Sequence, residues 1–196
     1  MNKQHLIGAA LAAFMAATPV LAHAAPSAPA EARVPANAAS VALADALADY
    51  ETYLRRIDPI TAGMEGDREA LSRLPDPTRA GELARVAPLT ALLNRFETID
   101  PTALNDDERL NRTFAAYLIR RNLDAIPLDG GRLAFSSEGG PGQTFAYLAS
   151  STRITSTADA EAWLSRISGA PSFYDAAIAD ARRGLDTGLV QARSVV

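Results

Sequence analysis

The sequence predicts a mostly α-helical protein, an irregular helical bundle with a glycine-rich loop and at most a short strand. Apolar residues recur at helical intervals along most of the chain, which favours amphipathic helices around a core. Prolines and glycines separate these segments. Cysteine is absent from the 196 residues, so the fold contains no disulfide and depends on its hydrophobic core.

The first residues have the organisation of a cleavable signal peptide. Lys3 precedes an apolar run over 6–21, and small residues follow at 22–24. A membrane span needs roughly 20 uninterrupted apolar residues, and this run is shorter. We therefore predict a signal peptide over 1–24, a periplasmic or secreted protein, and no membrane attachment after cleavage.

The residues after the signal peptide divide into a leader and a domain. The stretch 25–39 is almost entirely Ala, Pro and Ser, a composition that buries too little apolar surface to order itself. It is predicted to be disordered. The remainder, 40–196, is long enough for one helical domain.

Prolines set the helix boundaries that follow. A first helix over 41–57 ends where Asp58 and Pro59 force the backbone out of the helical conformation. The segment 61–74 has two glycines and no clear period, so it is predicted to be a loop with one helical turn around 68–71.

Two further helices are predicted before residue 126. The second starts with Asp76 as its N-cap and Pro77 at its first position, and Pro88 should kink it. Asp100 and Pro101 end it. The third starts at Asn105, with acidic residues over 106–108 at its positive end. Its buried stripe is predicted to be Leu110, Phe114, Tyr117 and Leu118.

Glycine dominates the next connection. The stretch 128–142 is predicted to be the longest irregular loop, with a possible short strand near 133–135, and a short helix follows around 145–148. Ser156 and Asp159 then match a capping box that opens another helix. This helix is predicted to turn Trp163, Leu164 and Ile167 inward and to stop at Gly169. A final helix over 171–184 is predicted to bury Phe173, Tyr174, Ala177, Ile178 and Ala181.

Charge and residue content exclude several functions. The formal net charge is −4 and the 19 basic residues are spread along the chain, which argues against nucleic acid or an anionic membrane as a partner. Both histidines, His5 and His23, lie in the predicted signal peptide. The mature chain therefore lacks the imidazole and thiol groups of most zinc sites, Ser-His pairs and cysteine nucleophiles.

Other groups have structural explanations that compete with a functional one. The acidic residues over 106–108 complement a helix start, and Arg182 with Arg183 complements a helix end. The loop over 138–143 lacks a phosphate-binding pattern and is assigned to an ordinary turn. Trp163 and Tyr174 are assigned to the core. We assign no catalytic, cofactor-binding or metal-binding residue.

Four segments carry a resemblance to a known family. They are YETYLRRIDPITAG over 50–63, LPD over 74–76, DAEAWLSRI over 159–167 and GLDTG over 184–188. Together they resemble the N-terminal portion of the bacterial proteins of domain-of-unknown-function family 885. The resemblance covers nearly all of the mature chain.

This resemblance implies a larger helical fold in which the present chain is one part. Full-length relatives resemble zinc metallopeptidases, because their distal half carries an HExxH helix in which two histidines hold zinc and the glutamate activates water. No position here matches that motif, so no catalytic residue is carried over. Zinc and a peptide substrate are expected only in full-length relatives.

Three functional hypotheses of different classes follow. The first is the N-terminal helical part of a metallopeptidase-like protein, truncated after the apolar end over 190–196 and inactive alone, with self-association or a missing C-terminal half as its partner. The second is a non-enzymatic periplasmic binding or interaction module. The third is an enzyme that uses only carboxylates and arginines.

Overall fold

The structure, a computed structural model, describes residues 37–136 and 139–192, and in these ranges the chain is built from α-helices and short 3-10 turns. The α-helices are α1 (Ala38–Ile57), α2 (Pro59–Met64), α3 (Arg79–Leu83), α4 (Val86–Thr98), α5 (Asp106–Ala125), α6 (Pro141–Ser151), α7 (Thr157–Ser168) and α8 (Ala170–Thr187). The 3-10 turns are Glu69–Ser72, Pro101–Ala103, Ile126–Leu128 and Gly130–Leu133. The mostly α-helical fold class is confirmed. Within the same ranges, no helix has the length and apolar character to cross a membrane.

Helical structure is present slightly earlier in the chain than the sequence predicts. The predicted signal peptide and the predicted leader up to residue 36 lie outside the described residues. The last two residues of that leader, Ala38 and Ala39, already belong to α1. Asn37 caps this helix, because its side-chain oxygen accepts a hydrogen bond from the backbone N–H of Ser40 at 2.9 Å.

Asp58 and Pro59 both end one helix and start another. The backbone N–H of Asp58 closes the last turn of α1, as predicted. Its carboxylate then caps α2 by accepting hydrogen bonds from the backbone N–H of Thr61 at 3.1 Å and from the Thr61 hydroxyl at 2.7 Å. The start of the predicted 61–74 loop is therefore helical, whereas the helical turn predicted around 68–71 is confirmed as the 3-10 turn Glu69–Ser72.

The predicted second helix is in fact two helices. The chain breaks between α3 and α4, and Pro88 lies in the first turn of α4, where its missing N–H costs no hydrogen bond. The expected kink at Pro88 is therefore wrong. Asp76 is also not the cap: Thr78 accepts the hydrogen bond from Gly81 N, while Asp76 accepts hydrogen bonds from the backbone and the hydroxyl of Thr78.

The main core forms where α1, α4 and α5 pack together. Phe96 of α4 and Ile119 of α5 are completely buried, and Tyr50 of α1 meets Phe96 edge to face with ring centroids 6.3 Å apart. Ala115 and Ala116 are buried on α5. Because their side chains are small, α4 and α5 pack closely along their length.

The predicted inward face of α5 is wrong. Leu110, Phe114 and Tyr117 are 66%, 58% and 52% exposed, and Leu118 is half-buried. The buried residues of α5 are Ala115, Ala116 and Ile119. The helical period identifies an apolar stripe but does not show which face meets another helix, and here the large residues lie on the outer face.

The predicted inward face of α7 is also wrong, whereas that of α8 is confirmed in part. On α7, Leu164 and Ile167 are exposed and Trp163 is half-buried, whereas the buried residues are Asp159 and Arg166. The capping box at Ser156 and the stop at Gly169 are confirmed. On α8, Ala177 is buried, Phe173, Tyr174 and Ala181 are half-buried, and Ile178 is at the surface.

The glycine-rich connection holds the turn Gly130–Leu133 in place of the strand allowed near 133–135, followed by a single bridge between Ser136 and Gly139. Gly140 has φ 104°, and a Cβ there would overlap the carbonyl oxygen of Ala134. Only glycine fits this position. Glu138, part of the loop considered for ligand binding, lies outside the described residues.

Replacing Tyr53 with phenylalanine should stabilise the protein. The Tyr53 hydroxyl is buried and has no hydrogen-bond partner among the described residues, so its removal should raise the free energy of unfolding by about 1 kcal/mol. Burial raises the pKa of Tyr53, although Arg85 and Arg56 oppose this. Folding therefore favours the neutral form of this hydroxyl over the ionised form. The free energy of unfolding of the wild type should fall as the pH rises from the unfolded-state pKa of about 10 through the folded pKa, because over this range Tyr53 ionises more readily in the unfolded chain.

The check on Tyr53→Phe is urea unfolding at about pH 8 and about pH 10.5. The variant should be more stable than the wild type at both, and by a larger margin at the higher pH. Tyr117→Phe, on the exposed face of α5, is the control and should change neither value. A loss of stability in Tyr53→Phe at the lower pH would contradict the unpaired hydroxyl.

Candidate functional site

The residue groups weighed from sequence mostly have structural roles. Asn105 and Glu108 form a capping box at the start of α5, which confirms the capping interpretation of the acidic residues over 106–108. Arg183 has a specific partner that the sequence did not reveal, because its guanidinium forms two hydrogen bonds with the Asp129 carboxylate, at 2.7 and 3.0 Å. Arg182 is exposed.

Asp129 is the centre of an ion-pair network. It adopts a left-handed backbone conformation with φ 55° and ψ 52°, and it lies 3.0 Å from Arg132 and 3.6 Å from Arg79 as well as pairing with Arg183. Nearby carboxylates balance the three arginines. These are Asp129, Asp180 and Glu82. The network therefore ties the turn Gly130–Leu133 to α3 and α8 and leaves no uncompensated charge for a ligand.

Arg166 differs from the other arginines because it is almost completely buried. Its side chain is 2% exposed on the inner face of α7 and donates from one terminal nitrogen to the carbonyl oxygens of Pro59 at 3.2 Å and Ala70 at 2.6 Å. Its Nε has no hydrogen-bond partner among the described residues. Burial, and then the positive charge of Arg73, lower the pKa of Arg166 below its ordinary value.

The nearest acidic residue on the same helix face does not neutralise Arg166. Asp159, which lies two helical turns earlier and is 4% exposed, forms an ion pair with Arg68. The same carboxylate accepts hydrogen bonds from the backbone and hydroxyl of Thr155, both at 2.8 Å, and from Ser156 N at 3.0 Å. Arg166 therefore has no carboxylate partner among residues 37–136 and 139–192.

A cavity of about 190 Å³ lies beside this buried cation. Three arginines line it, namely Arg68, Arg153 and Arg166, and its lining includes no carboxylate. Arg153 is exposed and, unlike Arg68, forms no ion pair or hydrogen bond with the described residues. The remaining wall is formed by Ile60, Gly63, Met64, Gly66, Leu71, Ser151 and Thr152. Arg166 also lines a more open and mostly apolar cavity of about 280 Å³ between the 72–78 segment, α7 and α8.

The local sequence explains how Arg166 reaches this position. Gly63 of α2 makes room for it, since a Cβ on Gly63 would lie 3.3 Å from an Arg166 terminal nitrogen and 3.1 Å from the Leu71 side chain. The capping box at Ser156 fixes where α7 starts and therefore which of its residues face α2. Sequence reasoning missed this site because Arg166 lies among apolar residues that had been assigned to the core. The available signal was the seven-residue spacing of Asp159 and Arg166, which places two charges on one helix face.

Zinc, which the resemblance implies for full-length relatives, does not fit the donor set of the described residues. Zinc sites are built from histidine, cysteine and carboxylate ligands. His5 and His23 both precede residue 37, cysteine is absent, and no three carboxylates of the described ranges are grouped so that they could hold a metal ion. The arrangement around Arg166 can attract an anion, and the described lining of the cavity includes no carboxylate or imidazole that could act as a general base.

The comparison with protein families agrees with the sequence resemblance. A family model described as "Bacterial protein of unknown function (DUF885)" matches residues 59–196, which is more than two thirds of the chain and begins at the first residue of α2. No curated protein and no solved structure matches the chain. The chain therefore belongs to the DUF885 family of bacterial proteins of unknown function.

Proposed function

We propose that this chain is the N-terminal helical part of an exported metallopeptidase-like protein, to which it contributes a docking face and no catalytic group. The observation that carries the proposal is the apolar stripe on the outer face of α5. Leu110, Phe114 and Tyr117 follow one another at intervals of four and three residues, so they share one side of the helix. All three side chains are more than half exposed. We refer to these three residues as the α5 stripe.

The size of the α5 stripe supports contact with a further helical part. A buried aromatic side chain covers about 150–250 Å², so half-exposed Phe114 and Tyr117 together with Leu110 leave on the order of 300 Å² of apolar surface. At about 25 cal/mol per Å², covering that surface is worth on the order of 7 kcal/mol. This is comparable to the total stability of a small domain. A contiguous apolar patch of this size is as large as the largest patch of many soluble proteins, which often has a function, whereas single exposed apolar residues are not informative.

The side-chain content supports a structural part over a catalytic one. A metallopeptidase needs metal ligands and a group that activates water, and the HExxH helix supplies both in the full-length relatives that the chain resembles. The described residues offer neither a histidine nor a thiol. Their buried charges, Asp159, Arg166 and Asp180, form hydrogen bonds with neighbouring groups of the same chain.

Export is part of the proposal and rests on the sequence of the first 24 residues. A basic start, a short apolar run and small residues before the expected cleavage point are the features that the secretion machinery recognises. The absence of cysteine is compatible with an oxidising compartment, because no unpaired thiol is exposed to oxidation there.

Metal content and peptidase activity test the non-catalytic role. The mature chain, prepared without a histidine tag and dialysed against zinc-containing and then zinc-free buffer, should retain much less than one zinc per molecule. It should also hydrolyse casein no faster than a buffer blank. A commercial zinc peptidase carried through the same dialysis is the control and should keep its metal and its activity. One tightly held zinc per chain, or hydrolysis that persists after contaminating proteases are inhibited, would contradict the proposal.

A further inference from the structure

We propose that the cavity beside Arg166 binds a small organic carboxylate, whose negative charge compensates Arg166 and Arg153. This inference concerns a binding site of the chain itself and does not depend on the proposed function. The cavity wall is positively charged. Of the three arginines that line the cavity, Arg68 is already paired with Asp159, so two positive charges remain without a counter-charge among the described residues.

Burial makes the charge on Arg166 unusually costly. Water cannot solvate a guanidinium that is 2% exposed, and carbonyl oxygens compensate it only with partial charges. Its unpaired Nε adds to this cost. An anion in the adjoining cavity would interact with Arg166 through a medium of low dielectric, where attraction is several times stronger than in water.

The outer part of the cavity offers direct contacts for an anion. Arg153 has an unpaired guanidinium and lies next to Thr152 and Ser151 in the lining. A planar guanidinium can donate two parallel hydrogen bonds to one carboxylate, and the Thr152 hydroxyl can donate to the same oxygens. The Ser151 hydroxyl already donates to the carbonyl oxygen of Tyr147 at 2.7 Å. These hydrogen-bond donors and the buried charge of Arg166 thus line the same cavity.

Size and apolar lining favour a short organic acid over an inorganic ion. The volume of about 190 Å³ is somewhat larger than the cavity of about 150 Å³ that accommodates benzene, which has about as many non-hydrogen atoms as butyrate. Ile60, Met64 and Leu71 line the same cavity and would contact an alkyl chain. Phosphate would meet the cationic groups but would leave this apolar wall unused.

The test is an NMR titration of the isotope-labelled full chain with butyrate and, separately, with inorganic phosphate. Butyrate should bind with a dissociation constant of about 1 mM, and at least about tenfold more tightly than phosphate. The backbone amides that shift should include those of Gly63, Gly66 and Thr152, which line the cavity. Absence of saturable shifts, shifts confined to other regions, or equal affinity for phosphate would overturn the proposal.

A pair of matched variants separates this site from general attraction of anions. Arg153→Gln removes an exposed, unpaired cation of the lining and should weaken butyrate binding about three- to tenfold. Arg121→Gln removes an exposed, unpaired cation of α5, which does not line the cavity, and should leave the affinity unchanged. Because neither side chain forms an ion pair or hydrogen bond with residues 37–136 or 139–192, both variants should fold. Equal weakening by both, or no weakening by Arg153→Gln, would overturn the site.

Discussion

Gly184→Ala should destabilise the protein by about 1–3 kcal/mol, although the same change normally stabilises a helix by up to about 1 kcal/mol. Gly184 is buried within α8. A Cβ there would lie 2.7 Å from the carbonyl oxygen of Leu189 and 2.8 Å from that of Arg132. Both contacts are with backbone, so no side-chain rotation can relieve them. The turn Gly130–Leu133 would have to move away from α8, which would also disturb the ion-pair network around Asp129.

Gly142→Ala provides the matched control for Gly184→Ala. Gly142 also lies in an α-helix, and a Cβ there would meet only the Tyr174 hydroxyl at 3.9 Å, an ordinary contact. Its free energy of unfolding should be unchanged or increase by up to about 1 kcal/mol. Chemical unfolding of the two variants and the wild type should therefore show that Gly→Ala lowers the free energy of unfolding at residue 184 and does not lower it at residue 142. A Gly184→Ala protein as stable as the wild type would show that α8 and the turn are not in close contact.

Helix boundaries were largely predictable from sequence because caps and prolines act locally. Asn105 and Ser156 cap α5 and α7 through hydrogen bonds that span only three residues. Gly169 ends α7 where predicted. The errors arose where two local signals competed. Asp76 resembles a helix cap, but Thr78 makes the capping bond, and Pro88 lies in the first turn of a helix that it was expected to kink.

The inward faces of the helices were not predictable, because they depend on contacts between distant segments. On α5, small residues meet α4 and the large apolar residues remain outside, so the strongest apolar stripe marks the outer surface. On α7, Asp159 is buried because it forms an ion pair with Arg68. Arg166 is buried because it donates hydrogen bonds to the carbonyl oxygens of Pro59 and Ala70. These partners lie about 90 to 110 residues away in sequence.

The candidate site was also predictable only where it depends on local sequence or on composition, and not where it depends on contacts between distant segments. The motif over 159–167 was recognisable as a family feature, but its physical role as the source of a buried cation required the position of α2 beside it. The lack of zinc ligands in the mature chain was evident from composition alone, since it depends on which residues are present and not on how they pack.

Replacing the α5 stripe with glutamine should abolish self-association without loss of stability. In Leu110→Gln/Phe114→Gln/Tyr117→Gln the side chains already face water, and glutamine is a good helix former, so the free energy of unfolding should change by no more than about 0.5 kcal/mol per site. Ile119→Ala, on the buried face of the same helix, is the contrasting variant and should cost about 2–5 kcal/mol.

Sedimentation velocity of the wild-type mature chain and this triple variant tests the docking face most directly. The wild type should sediment as a monomer only at the lowest concentrations and form larger species at micromolar concentration, because association of two copies would bury the exposed apolar surface of the α5 stripe. The triple variant should remain a monomer throughout. A wild-type chain that stays monomeric at every concentration, with a sharp cooperative melt above about 60 °C, would contradict the claim that α5 presents an uncovered docking face.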